Sequence, residues 1–370
     1  MILSNLTLQN FRSYAKKTFI FSPTTTLIVG PNTAGKTNIL EAIMLLATGK
    51  SFRADMDREA IAWGSELARL RAIISNETEL EMVLTTGEVA GTRAPLKKYL
   101  VNGVARRQID FVGNLRAVLF WPEHLELITD SPSLRRKYLD SVLVQVDREY
   151  RRNLISYERG LRQRNRLLNL INEGKANSHQ LGFWNQLLIR NGGYLTDKRA
   201  EYIDFINRYK MPDVRHAIEY DKSVISEARL EQYKDEEVAA KATLVGPHRD
   251  NFVVAKFKNQ NSPPKADQPL AEKIESEDDE ELLDLSKYGS RGEQRLAILW
   301  LKLAELSYIE QQTNERPTLL LDDIFSELDK EHRKLVLDVI GKQQTIITSA
   351  EEDVVDLIQK KKLEHSIIRL

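Results

Sequence analysis

The sequence predicts an α/β fold, a phosphate-binding head interrupted by an inserted antiparallel pair of long helices. Three observations lead there. The octet Gly30-Pro31-Asn32-Thr33-Ala34-Gly35-Lys36-Thr37 fits G-x-x-x-x-G-K-[ST] in full, between an apolar run at Thr26-Leu27-Ile28-Val29 and a helical pattern from Asn38 to Leu46. From Leu134 to Tyr209 the apolar residues recur by threes and fours, the period of amphipathic helices. Further on, Pro317-Thr318-Leu319-Leu320-Leu321-Asp322-Asp323 is an apolar run closed by two carboxylates.

Composition sets the outer bounds. At 370 residues the chain is long enough for two or more domains. It has no cysteine, which excludes disulfides and thiol chemistry and suits a reducing cytosol. The first residues lack the basic head and apolar stretch of a secretion signal. No apolar run nears the ~20 residues of a membrane helix. A soluble cytoplasmic protein with no membrane partner is the expectation. Basic and acidic residues both number 54, but unevenly. Arg135 to Arg166 holds ten basic and four acidic residues (10 − 4 = +6), and Asp267 to Asp284 one lysine and nine acids (1 − 9 = −8). The neutral sum hides a basic arm on which a polyanion can dock.

Taken in order, Leu6 to Phe11 and Thr18 to Phe21 read as strands of a small sheet. In the phosphate loop, glycines let backbone amides turn toward phosphate oxygens and the following helix adds its N-terminal dipole. Gly30, Pro31, Asn32, Thr33, Ala34, Gly35, Lys36, Thr37 and Asn38 form the expected nucleotide-binding set. Lys36 reaches the outer phosphates and the Thr37 hydroxyl holds Mg²⁺. A nucleoside triphosphate is the predicted ligand.

Asn102-Gly103 lies between short apolar stretches, a hairpin signal because both turn positions favour positive φ. Lys97, Lys98, Arg106 and Arg107 flank it, either as solvated edge residues or as phosphate contacts. Leu139, Leu143, Val146, Tyr150, Leu154, Tyr157 and Leu161 predict one amphipathic helix. A break at Asn172 to Ser178 separates it from a second helix, Phe183 to Tyr209, with a kink expected at Gly192-Gly193. On this arm Arg151, Arg152, Arg159 and Arg162 are the candidate contacts to such a polyanion. Residues 259–285 read as an acidic mobile loop. The predicted division is a head of residues 1–125 and 244–370 with a helical arm inserted at 126–243.

Beyond the loop, Tyr288-Gly289-Ser290-Arg291-Gly292-Glu293 enters an apolar helix, and Ser290 with Glu293 fits the S-x-x-E capping box. The same turn offers a hydroxyl, free amides around Gly292 and a helix dipole, the set that grips a γ-phosphate. Asp322 is expected to hold the metal shell, and Asp323 to orient or deprotonate the attacking water. In such enzymes the strand beside the phosphate loop ends this way. Ser326 to Asp329 is expected at the edge of the site. The following strand Thr345-Ile346-Ile347 ends in Thr348-Ser349, so any switch role there falls to a hydroxyl.

Phosphate loop, serine turn and carboxylate strand, in this arrangement, resemble the ABC-type ATPases of the SMC-like group, and within it the RecF family. The likeness takes in Asn10-Phe11-Arg12-Ser13-Tyr14, Gly30 to Ala54, Phe120 to Asp140, Gly246 to Asp250, Ser290 to Arg295 and Leu319 to Asp329. The resemblance implies a P-loop ABC-type head with an inserted helical arm, ATP and Mg²⁺ as cofactors, and slow ATP hydrolysis used as a switch. It implies an ATP-dependent homodimer in which Ser290 of one subunit closes over nucleotide held by the other. It further implies binding of single-stranded or gapped DNA, partnership with RecR and RecO, and loading of RecA. Arg12, Asn32, Gly35, Lys36 and Thr37 would contact phosphates or Mg²⁺, with Asp322, Asp323, Lys36 and Ser290 as the reactive set. Asn251 stands where the family carries a second acid after GPHRD. Rival readings are a phosphoryl-transferring kinase, a nuclease-associated ATPase, and an SMC-like protein of chromosome structure. The Ser290 turn argues against the first, and an arm tens of residues long against the last.

Overall fold

The computed structural model describes residues 2–212, 214–258, 281–326, 330–350 and 353–370. Most of the expected acidic loop, 259–280, lies outside them, as do Glu327 to Asp329. The described part divides into two compact units, one of Met1–Glu123, Asp140–Arg152 and Glu305–Leu370, the other of His124–Leu139 and Asn153–Ala304.

The first unit holds two sheets. A six-stranded antiparallel sheet runs in the order Tyr14–Ile20, Leu3–Phe11, Leu67–Ile74, Thr78–Thr85, Lys97–Val101, Val104–Arg106. Leu3, Leu6, Leu8 and Phe11 are buried and Ser4 and Gln9 exposed, the one-sided pattern of such sheets. Asn102 and Gly103 join the last two strands with φ of 51° and 74°, the geometry of a type I′ hairpin turn. The second sheet is parallel, in the order Ala117–Phe120, Thr318–Asp322, Thr345–Ser349, Thr25–Val29, His365–Arg369. Its Thr25–Val29, Thr318–Asp322 and Thr345–Ser349 strands are buried at every residue, hence their apolar middles, with threonine, serine and Asp322 at the ends. The helix Lys36–Thr48 touches strands of both sheets, which explains why it is apolar on nearly every side.

One expectation is corrected here. The carboxylate strand is not the neighbour of the phosphate-loop strand, because Thr345–Ser349 lies between them and pairs with both. Another correction concerns the predicted single helix, which is two, Pro132–Val146 and Arg148–Asn172. Asp147 divides them by accepting the Tyr150 amide proton at 2.9 Å as N-cap of the second. Asp147→Ala is expected to lower stability by about 1 kcal/mol, measured by chemical denaturation.

In the second unit Leu181–Arg208 is one helix that carries Gly192-Gly193 in its interior. Gly192 serves close packing. A Cβ there would lie 2.8 Å from Ile225 and 3.1 Å from Tyr157, and one at Gly160 would lie 2.5 Å from Leu187. Successive contacts Arg164 to Asn185, Gly160 to Leu187 and Tyr157 to Gly192 make the helix pair antiparallel. A three-stranded antiparallel sheet, His216–Asp221, Asn251–Phe257 and Leu282–Asp284, completes the unit. Leu282–Asp284 is thus a strand and not part of a loop.

Residues 244–304 group with the arm, whereas the sequence division assigned them to the head. Side chains explain this. The buried Asp250 carboxylate accepts from Arg199 at 3.0 Å, Tyr220 at 2.5 Å and the Ser223 amide at 2.8 Å. Its carbonyl accepts from Arg136 at 2.8 Å. Among the described residues no helix is long and apolar enough to cross a membrane.

Candidate functional site

The phosphate loop closes on itself. Gly35 has φ of +95°, and a Cβ there would lie 2.7 Å from the Tyr14 hydroxyl and 2.9 Å from Ser13 Oγ, so glycine is required twice over. Thr33 takes φ of 75° without being glycine, a left-handed conformation that costs roughly 1–2 kcal/mol. Pro31, Asn32 and Thr33 form the exposed lip. Behind it Gly30 donates to the Ser349 carbonyl at 3.3 Å, and Ala34 to the Pro31 carbonyl at 3.2 Å. The helix Lys36–Thr48 has no side chain capping its first amides. The Asn38 amide bonds the Gly35 carbonyl at 3.0 Å, and the amides before it open the helix as an anion site. Lys36 is buried, its Nζ donating to the carbonyls of Gly30 at 2.7 Å and Pro31 at 3.0 Å.

Strand order brings the carboxylates to the same end. Asp322 is in register with Thr348, which is in register with Ile28 two residues before the loop. The Thr348 hydroxyl donates to Asp322 at 2.5 Å, and the Thr37 hydroxyl is near enough to favour the ionised Asp322 carboxylate. Burial pushes the Asp322 carboxyl up, the two hydroxyls oppose that, and neighbouring Asp323 adds to it. A buried anion so placed fits a hard cation. The oxygen donors Thr37 and Asp322 suit Mg²⁺, which takes one or two protein oxygens beside substrate phosphates. Among the described residues no group of three or more His, Cys, Asp or Glu makes a self-sufficient metal cage. Asp323 has φ of 51°, and its amide donates to the Thr348 carbonyl at 3.1 Å.

Around the loop lie residues the sequence reading missed, Glu41, Ser51 and Arg53, beside two it named, Arg12 and Asn38. Glu41 is fully buried and takes a two-pronged bond from Arg12, at 2.8 and 2.6 Å, and the Ser51 hydroxyl at 2.6 Å. Arg12 also donates to the Glu59 carbonyl at 2.8 Å, so its guanidinium is largely committed within the protein. Asn38 spans Ser13, at 3.0 Å, and Arg53, at 3.1 Å. A carboxylate in an apolar helix, five residues beyond Lys36, was the available signal, because a buried charge demands a partner.

In the second unit the capping box is complete. The Ser290 amide donates to Glu293 at 2.7 Å and the Glu293 amide to the Ser290 hydroxyl at 3.3 Å. Ser290, Arg291 and Gly292 are exposed, and a Cβ on Gly292 would meet nothing nearer than 4.0 Å. Lys256, bonded at 2.7 Å, holds the Glu293 carboxyl down to about 2; burial opposes this and Ser290 assists.

The basic candidates separate. Lys97 bonds the Gly49 carbonyl and Asp57, each at 2.5 Å, and Arg151 bonds the carbonyls of Val144 at 2.6 Å and Ile109 at 3.1 Å. Burial lowers the Arg151 pKa to about 10. These two are internal fasteners and not free surface cations. Arg107 pairs with Asp110 at 3.1 Å and Arg152 with Glu149 at 2.7 Å, both exposed. Lys98, Arg106, Arg159 and Arg162 are exposed, and Arg166 continues the face of Arg159 and Arg162 one turn on.

Residues 2–364 match the family described as the RecF/RecN/SMC N-terminal domain. The DNA replication and repair protein RecF of Lachnoclostridium phytofermentans is 36% identical over 363 residues, covering 94% of this chain and 92% of its own length. The solved structure of the recombination mediator protein RecF-ATPrS in the RecFOR pathway covers all of this chain and 95% of its own, at 27% identity and a TM-score of 0.79. That of RecF-ATP covers 95% and 92%, at 28% identity and the same TM-score.

Proposed function

The chain belongs to the RecF family of the RecF/RecN/SMC N-terminal-domain ATPases, with an ABC-type ATPase head, and from that premise we propose an ATP-dependent, DNA-binding recombination mediator. ATP brings two copies together, and the closed pair holds single-stranded or gapped DNA. With RecR and RecO as partners, it supports RecA loading, replication restart and SOS induction. The observation that carries this reading is the strand register that brings Asp322 to the end of the parallel sheet where the phosphate loop begins, while the Ser290 turn is exposed. The ATP-bound relatives support it further.

Loop amides from Gly30 to Thr37 and the Lys36 ammonium bind the phosphates. Thr37 and Asp322 are the residues that would hold Mg²⁺, which would supply positive charge to the phosphates. Asp323 orients water or takes its proton. The Ser290 hydroxyl and the amides at Gly292 close on the γ-phosphate in the partner subunit. Lys98, Arg106, Arg159 and Arg162 offer charge to the DNA backbone, sequence-independently.

The test is molecular mass by light scattering, with and without a non-hydrolysable ATP analogue, on gapped and on fully duplex DNA. A dimer only with nucleotide is expected, its affinity for gapped DNA falling as salt rises by about 0.9 log units per log unit of salt for each phosphate neutralised. A protein that stays monomeric when saturated with the analogue rules the reading out.

A further inference from the structure

The Ser290 turn is held from behind by a pair of residues facing each other across two strands. His216 and Lys256 are register partners in the antiparallel pair His216–Asp221 and Asn251–Phe257. Both act on the same helix, Arg291–Thr313. Lys256 Nζ donates to Glu293 at 2.7 Å, and the His216 ring lies 5.9 Å from that of Trp300, seven residues on. Seven residues are about two helical turns, so the two strands grip one face of the helix at two successive points. Trp300 is anchored in turn, donating from Nε1 to the Tyr209 carbonyl at 3.1 Å.

Glu293 has a double assignment. One oxygen takes the Lys256 ammonium, and the other takes the Ser290 amide. The lysine thus fixes the carboxylate that fixes the turn. A capping box alone needs no lysine. The cation adds a direction, locking the rotamer of Glu293 and with it the placement of the Ser290 hydroxyl, whose lone pair receives the Glu293 amide.

We propose that Lys256 is a positioning residue for the Ser290 turn, presetting through Glu293 the serine that closes on the partner subunit's γ-phosphate. This rests on the ATP-held dimer proposed above. It separates from simple folding because Lys256 and the phosphate loop lie in different compact units. Loss of Lys256 should therefore leave nucleotide binding by each copy intact and weaken only the closure of two copies.

The experiment measures three quantities for the full chain and for Lys256→Gln, Lys256→Arg, Glu293→Gln and the double Lys256→Gln/Glu293→Gln. They are thermal midpoint, affinity for a fluorescent ATP analogue at dilutions where the chain is monomeric, and the dimer Kd with a non-hydrolysable analogue. Lys256→Gln is expected to keep its ATP affinity and to raise the dimer Kd about ten-fold, the scale of one lost charge-assisted hydrogen bond. Lys256→Arg should recover most of that. Glu293→Gln keeps a capping amide but loses the ion pair, so it should match Lys256→Gln, and the double variant should be no worse than either. If Lys256→Gln fails to fold, Glu293→Gln and Lys256→Arg carry the test. Dimerisation of Glu293→Gln or Lys256→Gln at the unsubstituted strength, or additive losses in the double variant, would overturn the proposal. If the unsubstituted chain itself stays monomeric with the analogue, the dimer reading fails and this proposal falls with it, whereas unchanged variants of a chain that does dimerise overturn this proposal alone.

Discussion

ATP-driven dimerisation is expected to disappear in Lys36→Arg, although the substitution keeps the charge. The reason is the shape of the niche. Lys36 is buried and its ammonium is already seated on the carbonyls of Gly30 and Pro31, at 2.7 and 3.0 Å. A compact ammonium can swing from those carbonyls to a phosphate within the same small arc. A planar guanidinium is wider and presents a rigid fork of donors, which does not match a niche that seats one compact ammonium on two carbonyls. The larger head must push out the loop, whose Gly35 is already pinned against Tyr14 and Ser13. The loss is expected to exceed the roughly 1.5–3 kcal/mol of a single hydrogen bond to a charged group, because the loop amides are displaced as well. Binding of a fluorescent ATP analogue and light scattering check it together. A variant that binds ATP weakly but still dimerises at saturation would point to a general affinity defect. One that dimerises normally would remove the clamp reading altogether.

How much of this was legible in the sequence depends on whether the information was local. The phosphate loop, the Asn102-Gly103 turn and the Ser290 capping box were readable because their geometry is set by residues within a few positions of each other. The order of the parallel strands was not, since nothing in the apolar runs at Thr318 and Thr345 says which neighbour each takes. Thr348 therefore came into view as the residue touching Asp322 only through the register. The misread cations share one cause. Lys97 bonds the carbonyl of Gly49, which ends the helix Lys36–Thr48, and Arg151 bonds that of Val144 in the last turn of Pro132–Val146. Each serves the unsatisfied C-terminal carbonyls of another helix, 48 residues away for Lys97 and seven for Arg151, and not the surface where it was read as charge. Helical periodicity likewise passed through Asp147 because the apolar spacing is nearly continuous there, and only the cap betrays the break. Glu41 and Asp250 were hidden for the opposite reason. Their importance lies in complete burial, which sequence spacing does not report.

Glu237→Ala is expected to destabilise the second unit by about 3–5 kcal/mol, the scale for stranding one member of a buried ion pair. Arg164 and Glu237 are 2% and 0% exposed and lie 2.7 Å apart. The remaining guanidinium donors go to Asn185 and to the Thr243 hydroxyl, each at 2.8 Å. The second Glu237 oxygen takes the Leu244 amide at 2.8 Å, and Asn165 accepts from both the amide and the hydroxyl of Thr243. All three guanidinium nitrogens of Arg164 thus donate, one of them to Thr243, and Glu237 takes the Leu244 amide, both in the segment that leads directly into Gly246-Pro247-His248-Arg249-Asp250. Removing Glu237 leaves a charged guanidinium in a dry interior, and urea denaturation followed by circular dichroism should show the loss. Arg164→Met with Glu237→Leu removes both charges and should restore much of the stability, since paired burial of charge is seldom worth more than good apolar packing. The double variant then poses a sharper question. If it folds stably yet dimerises poorly with ATP, the ion pair serves orientation of the 243–250 segment and not cohesion of the unit. If Glu237→Ala unfolds at the unsubstituted midpoint, neither role survives.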